Sequence, residues 1–441
     1  MEAPAAKLDV DWLTRNRAMK LGALAAGLVV LVALAVLIQP YWRQSPTDFI
    51  VYWEAGERMR AGGADLYAQA ADPMNQVGRY IYPPAFAALF APLTWLPREA
   101  GFGVWAALQL VIACAAFWLL RGLCGVRRKG ELIDWAFAGL VAIFGPLVVN
   151  IIEGQINMLV IGLIAAGLWL VESRRPLRGG LLIALAVHIK ILPVVLLAVL
   201  VVQRRFRAAL GVGIGLALFY FLPLVWTAPA LGVGDGVARN HAMIATYATE
   251  LVAPNVGSKA APELGGSRAP NNSLAAVSLR YFGEESHLHS LVETRGPLAF
   301  TVDGSILRWL GPGLGGLMFV AALGLAWRRR EDRLSRAACA GLAFAAASLG
   351  HLLCWFHHLV AALLLIAPLA AMVARDGRHK RVLAVALIAM VGLAHAALVD
   401  QSYWMLILGT PTLAMLIVWG LTAWVVVRRP RDAAGPREME R

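Results

Sequence analysis

The sequence predicts an all-α, polytopic membrane protein. Of its 441 residues, 59% are hydrophobic, and the mean hydropathy is +0.66, which is more apolar than a soluble domain. Charged residues make up only 15% of the chain and fall in short runs between long apolar stretches. The net charge of +13 follows from basic residues beside those stretches, as the positive-inside rule predicts. No basic groove interleaved with aromatic residues indicates nucleic-acid binding.

The N-terminal segment, residues 1–20, is basic, with Arg15, Arg17 and Lys20 close to the first apolar stretch. This pattern predicts a cytoplasmic N-terminus. The first span follows at residues 21–39, and because no small-residue cleavage site comes after it, we interpret it as an uncleaved span and not a signal peptide. The segment after it is therefore expected on the far side of the membrane.

A polar and aromatic segment fills the first external loop, residues 40–100. Its carboxylate Asp48 stands just past the first span, and residues 47–60 have the mixed pattern of a short helix on the membrane surface. Residues 84–97 are short for a crossing, and a short external or half-buried helix there places all basic runs on the cytoplasmic side. Loops of this length are uncommon without a function, so we expect a reaction centre here.

The remaining apolar stretches predict alternating crossings. They lie at residues 101–123, 132–150, 156–172, 206–226, 305–326, 335–352, 359–374, 381–399 and 406–427. Residues 179–202 must go out and return between two basic runs, yet each arm has only about eleven residues, so this hairpin ends within the membrane near Lys190. The prediction is about 12 crossings with short juxtamembrane helices, in one membrane domain at 21–427, with a second external loop at 227–303 and a cytoplasmic tail at 428–441.

Polar side chains from separate segments gather on one side of this topology. An ammonium such as Lys190 inside an apolar stretch costs several kcal/mol unless it is paired or hydrated, which favours an anionic ligand beside it. Simpler interpretations stay open: Asp48 as a helix cap, the tyrosines as an interfacial belt, and the amides as interhelical hydrogen bonds. The candidate site residues are Asp48, Tyr52, Tyr80, Tyr82, Gln155, Asn157, His188, Lys190, Asn272, Trp355, His357 and His358.

Neither a metal nor another cofactor is predicted. The cysteines lie within or at the ends of apolar stretches, without the spacing of a disulfide framework or a metal site; they are Cys114, Cys124, Cys339 and Cys354. A second cluster has spacing that would suit a metal, but a solvated loop is the simpler interpretation; it contains Glu284, Glu285, His287 and His289. The external loops have no Asp-x-Asp-like pair of the kind that holds a metal in nucleotide-sugar transferases.

Short motifs in one order along nearly the whole chain resemble glycosyltransferase family 87, the polyprenol-phosphate-sugar-dependent mannosyltransferases of GT-C type. They are Asp48-Phe-Ile-Val-Tyr52, Leu66-Tyr67, Tyr80-Ile-Tyr82-Pro-Pro84 with Leu93 to Pro97, Gly154-Gln-Ile-Asn157, Lys190-Ile-Leu-Pro193, Asn272-Ser-Leu274 and Trp355-Phe-His-His358. The resemblance implies a GT-C body whose large first external loop carries the active-site aspartate. It also implies a bacterial inner membrane, with the site facing the periplasm or the cell exterior.

The expected reaction transfers a sugar, first of all mannose, from a polyprenyl-phosphate-linked donor to a hydroxyl of a lipid or glycan acceptor, with inversion. Asp48 is the expected general base, with His357 or His358 sharing that role. The donor phosphate and lipid are expected to contact Lys190, Tyr82 and His188. The sugar and the acceptor are expected to contact Tyr52, Tyr80, Gln155, Asn157, Asn272 and Trp355.

Other functions stay open at this stage. The same fold would also serve for transfer of a pentose or for modification of another envelope glycolipid. A secondary transporter needs a polar path to both faces and broken helices in repeated halves, and the sequence has neither. A scaffolding protein leaves Lys190 and the long loops unexplained.

Overall fold

The computed structural model describes residues 48–68, 80–126, 129–253, 271–282, 302–376, 379–399 and 404–430. These ranges are helical apart from turns and one isolated antiparallel bridge between Asn271 and Trp355, so the predicted all-α class is confirmed. The predicted N-terminus, the first span, the tail beyond residue 430 and the cluster at 284–289 lie outside the described residues.

The predicted first external loop contributes two helices that pack into the molecule. α1 (Asp48–Arg60) buries Phe49, Tyr52 and Trp53, so it lies against the protein core and not only on a surface. α2 (Pro84–Phe90) is followed by the 3₁₀ turn Ala91–Trp95. Proline suits the first turn of a helix because its missing N–H would have no partner there, which explains why the Pro-Pro pair begins α2.

Three helices follow the loop and agree with the predicted spans. α3 (Arg98–Cys124) ends at Gly125, whose φ of +64° is the left-handed conformation that glycine adopts most easily. α4 (Lys129–Ile152) and α5 (Asn157–Glu172) are joined by a tight turn at 153–156. This turn carries the predicted Gly-Gln-Ile-Asn motif.

The predicted hairpin at 179–202 is formed by α6 (Pro176–Ile189), a 3₁₀ turn and α7 (Val195–Val202). A Cβ on Gly180 would overlap the Ala208 carbonyl, and a Cβ on Gly215 would overlap the Ala184 methyl. The later contact on α6 is thus also the later contact on the next helix, α8 (Phe206–Tyr220). α6 and α8 therefore run parallel. α7, which comes between them in the chain, therefore runs in the opposite direction, and Lys190 lies at the break between α6 and the 3₁₀ turn.

The C-terminal half completes the bundle. Its helices are α9 (Leu224–Leu231), α10 (Val233–Thr246), α11 (Leu274–Phe282), α12 (Gly304–Arg328), α13 (Arg333–Gly350), α14 (Leu363–Asp376), α15 (Lys380–Ala389), α16 (Ala396–Val399), α17 (Trp404–Ile407) and α18 (Thr410–Arg428). A π-helical turn, Tyr247–Val252, extends α10, another joins α15 to α16, and the 3₁₀ turn Phe356–Ala362 leads into α14. Part of the predicted external loop 227–303 is thus helical.

Several of these segments suit a membrane. Within the described residues, five are long and apolar enough to cross: Arg98–Cys124, Phe206–Leu231, Trp309–Arg328, Phe356–Asp376 and Thr410–Arg428. The most apolar window of Phe356–Asp376 is 94% buried, against 22–44% for the other four, so this segment is the centre of the bundle. The features support a multi-pass membrane protein, but the predicted count of about 12 crossings is not confirmed.

Basic residues from separate turns meet at one end of the bundle. Arg336 Nε lies 2.8 Å from Glu172 Oε1, and Arg205 Nη2 approaches the same oxygen at 3.5 Å. Arg375 donates to the Cys124 carbonyl at 2.9 Å, so the ends of α3, α5 and α14 belong to this region too. We call it the basic end, defined by Arg205, Arg333, Arg336, Arg375 and Arg429.

Candidate active site

Asp48 begins α1 and lies on the turn between α4 and α5. The backbone N–H of Phe49 donates to the Glu153 carbonyl at 3.3 Å, which fixes the start of α1 against that turn. Gly154 makes the turn possible, because its φ of +67° is a conformation that other residues rarely adopt. The Gln155 side-chain amide then donates to Asp48 Oδ2. The first loop and the α4–α5 turn therefore meet at the Asp48 carboxyl group.

A chain of hydrogen bonds leads from Asp48 to Lys190. Gln155 Oε1 lies 3.4 Å from Asn157 Nδ2, and Lys190 Nζ donates to Asn157 Oδ1 at 2.8 Å. Lys190 Nζ is also 2.8 Å from His358 Nε2. Gln155 and Asn157 are only 2% and 6% exposed, so the two amides are interior parts of this network. Residues from four separate segments are brought together, as the sequence predicts for the outer ends of the spans.

The pair His357-His358 begins the central segment of the bundle. The backbone N–H of Trp355 lies 3.2 Å from His358 Nδ1 and donates to it. The two imidazole rings are 4.8 Å apart in an edge-to-face arrangement. His357 is 7% exposed, and its Nε2 has no hydrogen-bond partner in the part of the chain that the structure describes. His358 is therefore held through Nδ1, and its Nε2 faces the Lys190 ammonium, whereas His357 keeps one polar atom unused.

The predicted tyrosines form an aromatic wall beside Asp48. Tyr52 Oη donates to Tyr82 Oη at 3.0 Å and lies 3.2 Å from Gln155 Oε1; a single hydroxyl proton serves one of these acceptors at a time. Tyr80 Oη donates to the Pro83 carbonyl at 2.9 Å. Tyr52 and Tyr80 are fully buried, and Tyr82 is half-buried. Tyr82 is therefore the member of this wall best placed for a ligand.

Two predicted residues lie apart from the network. The His188 ring contacts the Leu216 carbonyl of α8 at 3.0 Å through Nε2. Asn272 is buried, and its backbone N–H donates to the Cys354 carbonyl while its own carbonyl accepts from Thr412. Asn272 thus braces the loop that carries Trp355, and His188 contacts α8.

The protonation of Asp48 is set by its surroundings. Burial and the negative charge of Glu153 raise the pKa of Asp48 to about 7, while Lys190 acts in the opposite direction. Burial raises the pKa of Glu153 as well. A base works best when its pKa lies near the working pH. Glu153 is not among the residues that the sequence singles out, because a carboxylate at the end of a span looks like an interfacial charge, although its position two residues before Gln155 was a signal.

Comparison with known proteins identifies the family of the chain. The model of glycosyltransferase family 87 matches residues 80–354. A polyprenol-phosphate-mannose-dependent alpha-(1-2)-phosphatidylinositol pentamannoside mannosyltransferase of Mycobacterium tuberculosis is 32% identical over 135 residues, 30% of each chain. GPI mannosyltransferase 1 of Aspergillus fumigatus is 32% identical over 152 residues, covering 33% of this chain and 32% of that one.

A third relative is the polyprenol-phosphate-mannose-dependent alpha-(1-2)-phosphatidylinositol mannoside mannosyltransferase of Mycolicibacterium smegmatis. It is 29% identical over 178 residues, which cover 37% of this chain and 40% of that one. The matches thus span roughly a third of the length of these relatives. No solved structure matches the chain.

Proposed function

Because the chain belongs to glycosyltransferase family 87, we propose that it transfers a mannosyl group from a polyprenyl-phosphate-linked donor to a hydroxyl of a glycolipid or glycan acceptor. The observation that carries this proposal is the hydrogen-bonded chain from the Asp48 carboxyl to the Lys190 ammonium. A carboxylate and a cation held in one partly buried network supply the two functions that the reaction needs, a base for the acceptor and charge stabilisation for the leaving group.

The reaction is a direct displacement at the anomeric carbon. The acceptor oxygen forms a bond to that carbon, and the bond from the carbon to the phosphate oxygen breaks. The electron pair leaves with the polyprenyl phosphate, and the acceptor proton passes to Asp48. In-line attack inverts the configuration of the anomeric carbon. General-base catalysis of this kind raises the rate by about 10²–10⁴-fold.

The donor phosphate is proposed to bind at Lys190 and His358. His358 Nδ1 accepts from the Trp355 N–H, so the neutral imidazole carries its proton on Nε2, on the side of Lys190. The ammonium and this N–H then both present hydrogen to one place, which an anionic phosphate oxygen satisfies. This geometry favours His358 as a phosphate ligand over His358 as a second base.

Gln155 and Asn157 are proposed to position the reacting groups. Their burial and their contacts favour this role over direct contact with the sugar: Gln155 holds the Asp48 carboxyl, and Asn157 holds Lys190. Gln155→Met keeps the length of the side chain but removes the amide. We expect it to lower kcat about tenfold, as for the loss of one hydrogen bond to a charged group, while the KM for the donor stays unchanged. An unchanged kcat would remove Gln155 from the mechanism.

The proposed topology keeps about 12 crossings, in a bacterial inner membrane with the site facing outward. The separation between the basic end and the Asp48–Lys190 network supports this orientation, since basic side chains favour the cytoplasmic side. Cysteines introduced at exposed positions near each end test it in intact cells. A membrane-impermeant thiol reagent is expected to label Leu96→Cys, beside the first-loop helices, and to spare Arg207→Cys, at the start of α8. The reverse labelling would contradict the orientation.

The proposed activity is tested with the full-length protein in lipid bilayers, supplied with polyprenyl-phosphate mannose and a membrane-lipid acceptor fraction. We expect Asp48→Asn to lower transfer by about 10²-fold or more, because the amide cannot take the acceptor proton. The matched control is Glu57→Gln, which neutralises an exposed carboxylate on the same helix and is expected to act as wild type. Normal turnover by Asp48→Asn would overturn the assignment of the base.

A further inference from the structure

A cavity lies at the basic end, away from the Asp48–Lys190 network. Its volume is about 190 Å³, several times the roughly 30 Å³ that one water molecule occupies in the liquid. It is lined by Asp376, His379, Val425, Arg428, Arg429 and Pro430. Asp376 at the end of α14, His379 just before α15 and the C-terminal end of α18 therefore line a space that the proposed sugar transfer does not use.

Arg429 is the unusual residue in this cavity. It is 4% exposed, and its Nε lies 3.4 Å from Asp332 Oδ2. That carboxylate is already shared, because it also accepts from the N–H and the hydroxyl of Ser335. Arg429 Nη1 has no hydrogen-bond partner among the residues that the structure describes. A buried N–H of a cation without a partner carries the full cost of its lost hydration, so an acceptor is expected there.

Two further hydrogen-bond donors stand beside Arg429. The Arg428 guanidinium lies 5.8 Å from the centre of the Trp424 ring, and the His379 ring stands edge-on to the same indole at 4.9 Å. His379 also has a φ of +63°, a conformation that costs energy for a residue with a Cβ and often marks a ligand site. Trp424 therefore orders both side chains at the cavity.

The surroundings of the cavity are those of a membrane interface. Trp424 is 42% exposed and Val427 is 53% exposed, so apolar surface for acyl chains adjoins the cluster of cations. Tryptophan is enriched at the level of the lipid head groups, and basic residues there attract anionic lipids. The acidic residue Asp376 at the cavity disfavours a dianionic phosphate but accepts a hydrogen bond from a hydroxyl.

We propose that this cavity binds the head group of an anionic phospholipid, with the phosphodiester on Arg429, Arg428 and His379 and a head-group hydroxyl on Asp376. Arginine is suited to this role, because its planar fork matches two phosphate oxygens at once. A phosphodiester that bears a hydroxylated head group, as in phosphatidylglycerol, fits this set of charges better than phosphatidic acid or free phosphate. The site is independent of the proposed sugar transfer.

The test measures lipid retention by native mass spectrometry of the detergent-purified full chain. We expect phosphatidylglycerol to bind about tenfold more tightly than phosphatidylcholine, and Arg428→Gln and His379→Gln each to remove most of this preference, since a hydrogen bond to a charged group is worth about one factor of ten. Both residues are at least partly exposed, so these variants leave the core intact. The control is Arg207→Gln, which neutralises an exposed arginine at the same end, outside the cavity.

The outcomes separate specific binding from general attraction. An equal loss of phosphatidylglycerol binding in Arg207→Gln and Arg428→Gln would mean that surface charge alone binds the lipid. Retention of phosphatidylcholine as strong as that of phosphatidylglycerol would mean that no anionic site exists. Displacement of phosphatidylglycerol by millimolar inorganic phosphate would assign the cavity to a free ion and overturn the lipid assignment. A preference for phosphatidic acid over phosphatidylglycerol would contradict the role of Asp376.

Discussion

At the scale of single residues, the neighbours of the proposed base Asp48 bring its pKa near neutrality. Desolvation raises the pKa of this carboxyl, the Glu153 carboxylate raises it further, and Lys190 opposes both. Asp48 is a base only when it is ionised, so transfer is expected to fall as the pH drops through about 7. The acid limb of the pH profile thus reports directly on these neighbours.

Glu153→Gln tests this interpretation. Removing the negative charge beside Asp48 lowers the pKa of Asp48, so the acid limb of kcat/KM moves to lower pH, while the rate on the alkaline plateau changes little. The measurement is the pH dependence of mannosyl transfer between pH 5 and pH 8, with Glu57→Gln as the control at an exposed site. An acid limb that stays in place would show that another group titrates.

The sequence predicted the residues of this network better than their connections. Asp48, Gln155, Asn157 and Lys190 stand out because polar side chains beside apolar stretches are costly without a purpose. That Asn157 holds Lys190, more than thirty residues away, depends on how α5 packs against α6, which a residue pattern does not specify. For the same reason the sequence included His188, although its ring lies on α8 instead.

At the scale of elements, the α6–α7 hairpin determines the position of Lys190. Its existence followed from the sequence, because two basic runs separated by two short apolar arms allow no other path. The helices of the region 227–253 were not predicted from the sequence, because their polar composition resembles that of a loop. α1 was predicted as a helix, but its burial was not. The burial comes from aromatic contacts between residues far apart in the sequence, such as Phe49 and Phe102, whose ring centres are 4.9 Å apart.

The close packing of α6 on α8 makes a stability prediction. Gly180→Ala places a methyl group against the Ala208 carbonyl, and overpacking of this kind costs about 1–3 kcal/mol. Gly213→Ala on α8 is the matched control, because a Cβ there meets nothing within 4 Å. We expect a lower thermal unfolding temperature for Gly180→Ala and no loss for Gly213→Ala in the same detergent. Equal temperatures would contradict the close approach of the two helices.

At the scale of the whole molecule, the two ends of the bundle have different chemistry. One end gathers arginines around Glu172, and the other joins Asp48 to Lys190 through amides. The positive-inside pattern in the sequence anticipated this division. The central position of Phe356–Asp376 was not predicted, because a uniformly apolar segment looks the same in sequence whether it faces lipid or protein.

Glu172 is the residue that ties this end together, and its loss tests the architecture. Its carboxylate and the Arg336 guanidinium are only about a tenth exposed, so Glu172→Gln leaves a buried arginine without a counter-charge. Breaking such a pair costs about 3–5 kcal/mol, and we expect a clear fall in the thermal unfolding temperature. Glu331→Gln removes a pair whose carboxylate is 89% exposed and is expected to cost less than about 1 kcal/mol. Similar losses in both variants would contradict the buried network.

The central claim is that one network divides the work between a base and a phosphate-binding cation. The most direct measurement is the Kd for polyprenyl-phosphate mannose, taken together with single-turnover transfer, for Asp48→Asn and Lys190→Met. We predict that Asp48→Asn binds the donor as wild type does but fails to transfer, whereas Lys190→Met binds the donor at least about tenfold more weakly. Wild-type donor affinity in Lys190→Met, or wild-type transfer by Asp48→Asn, would contradict the account.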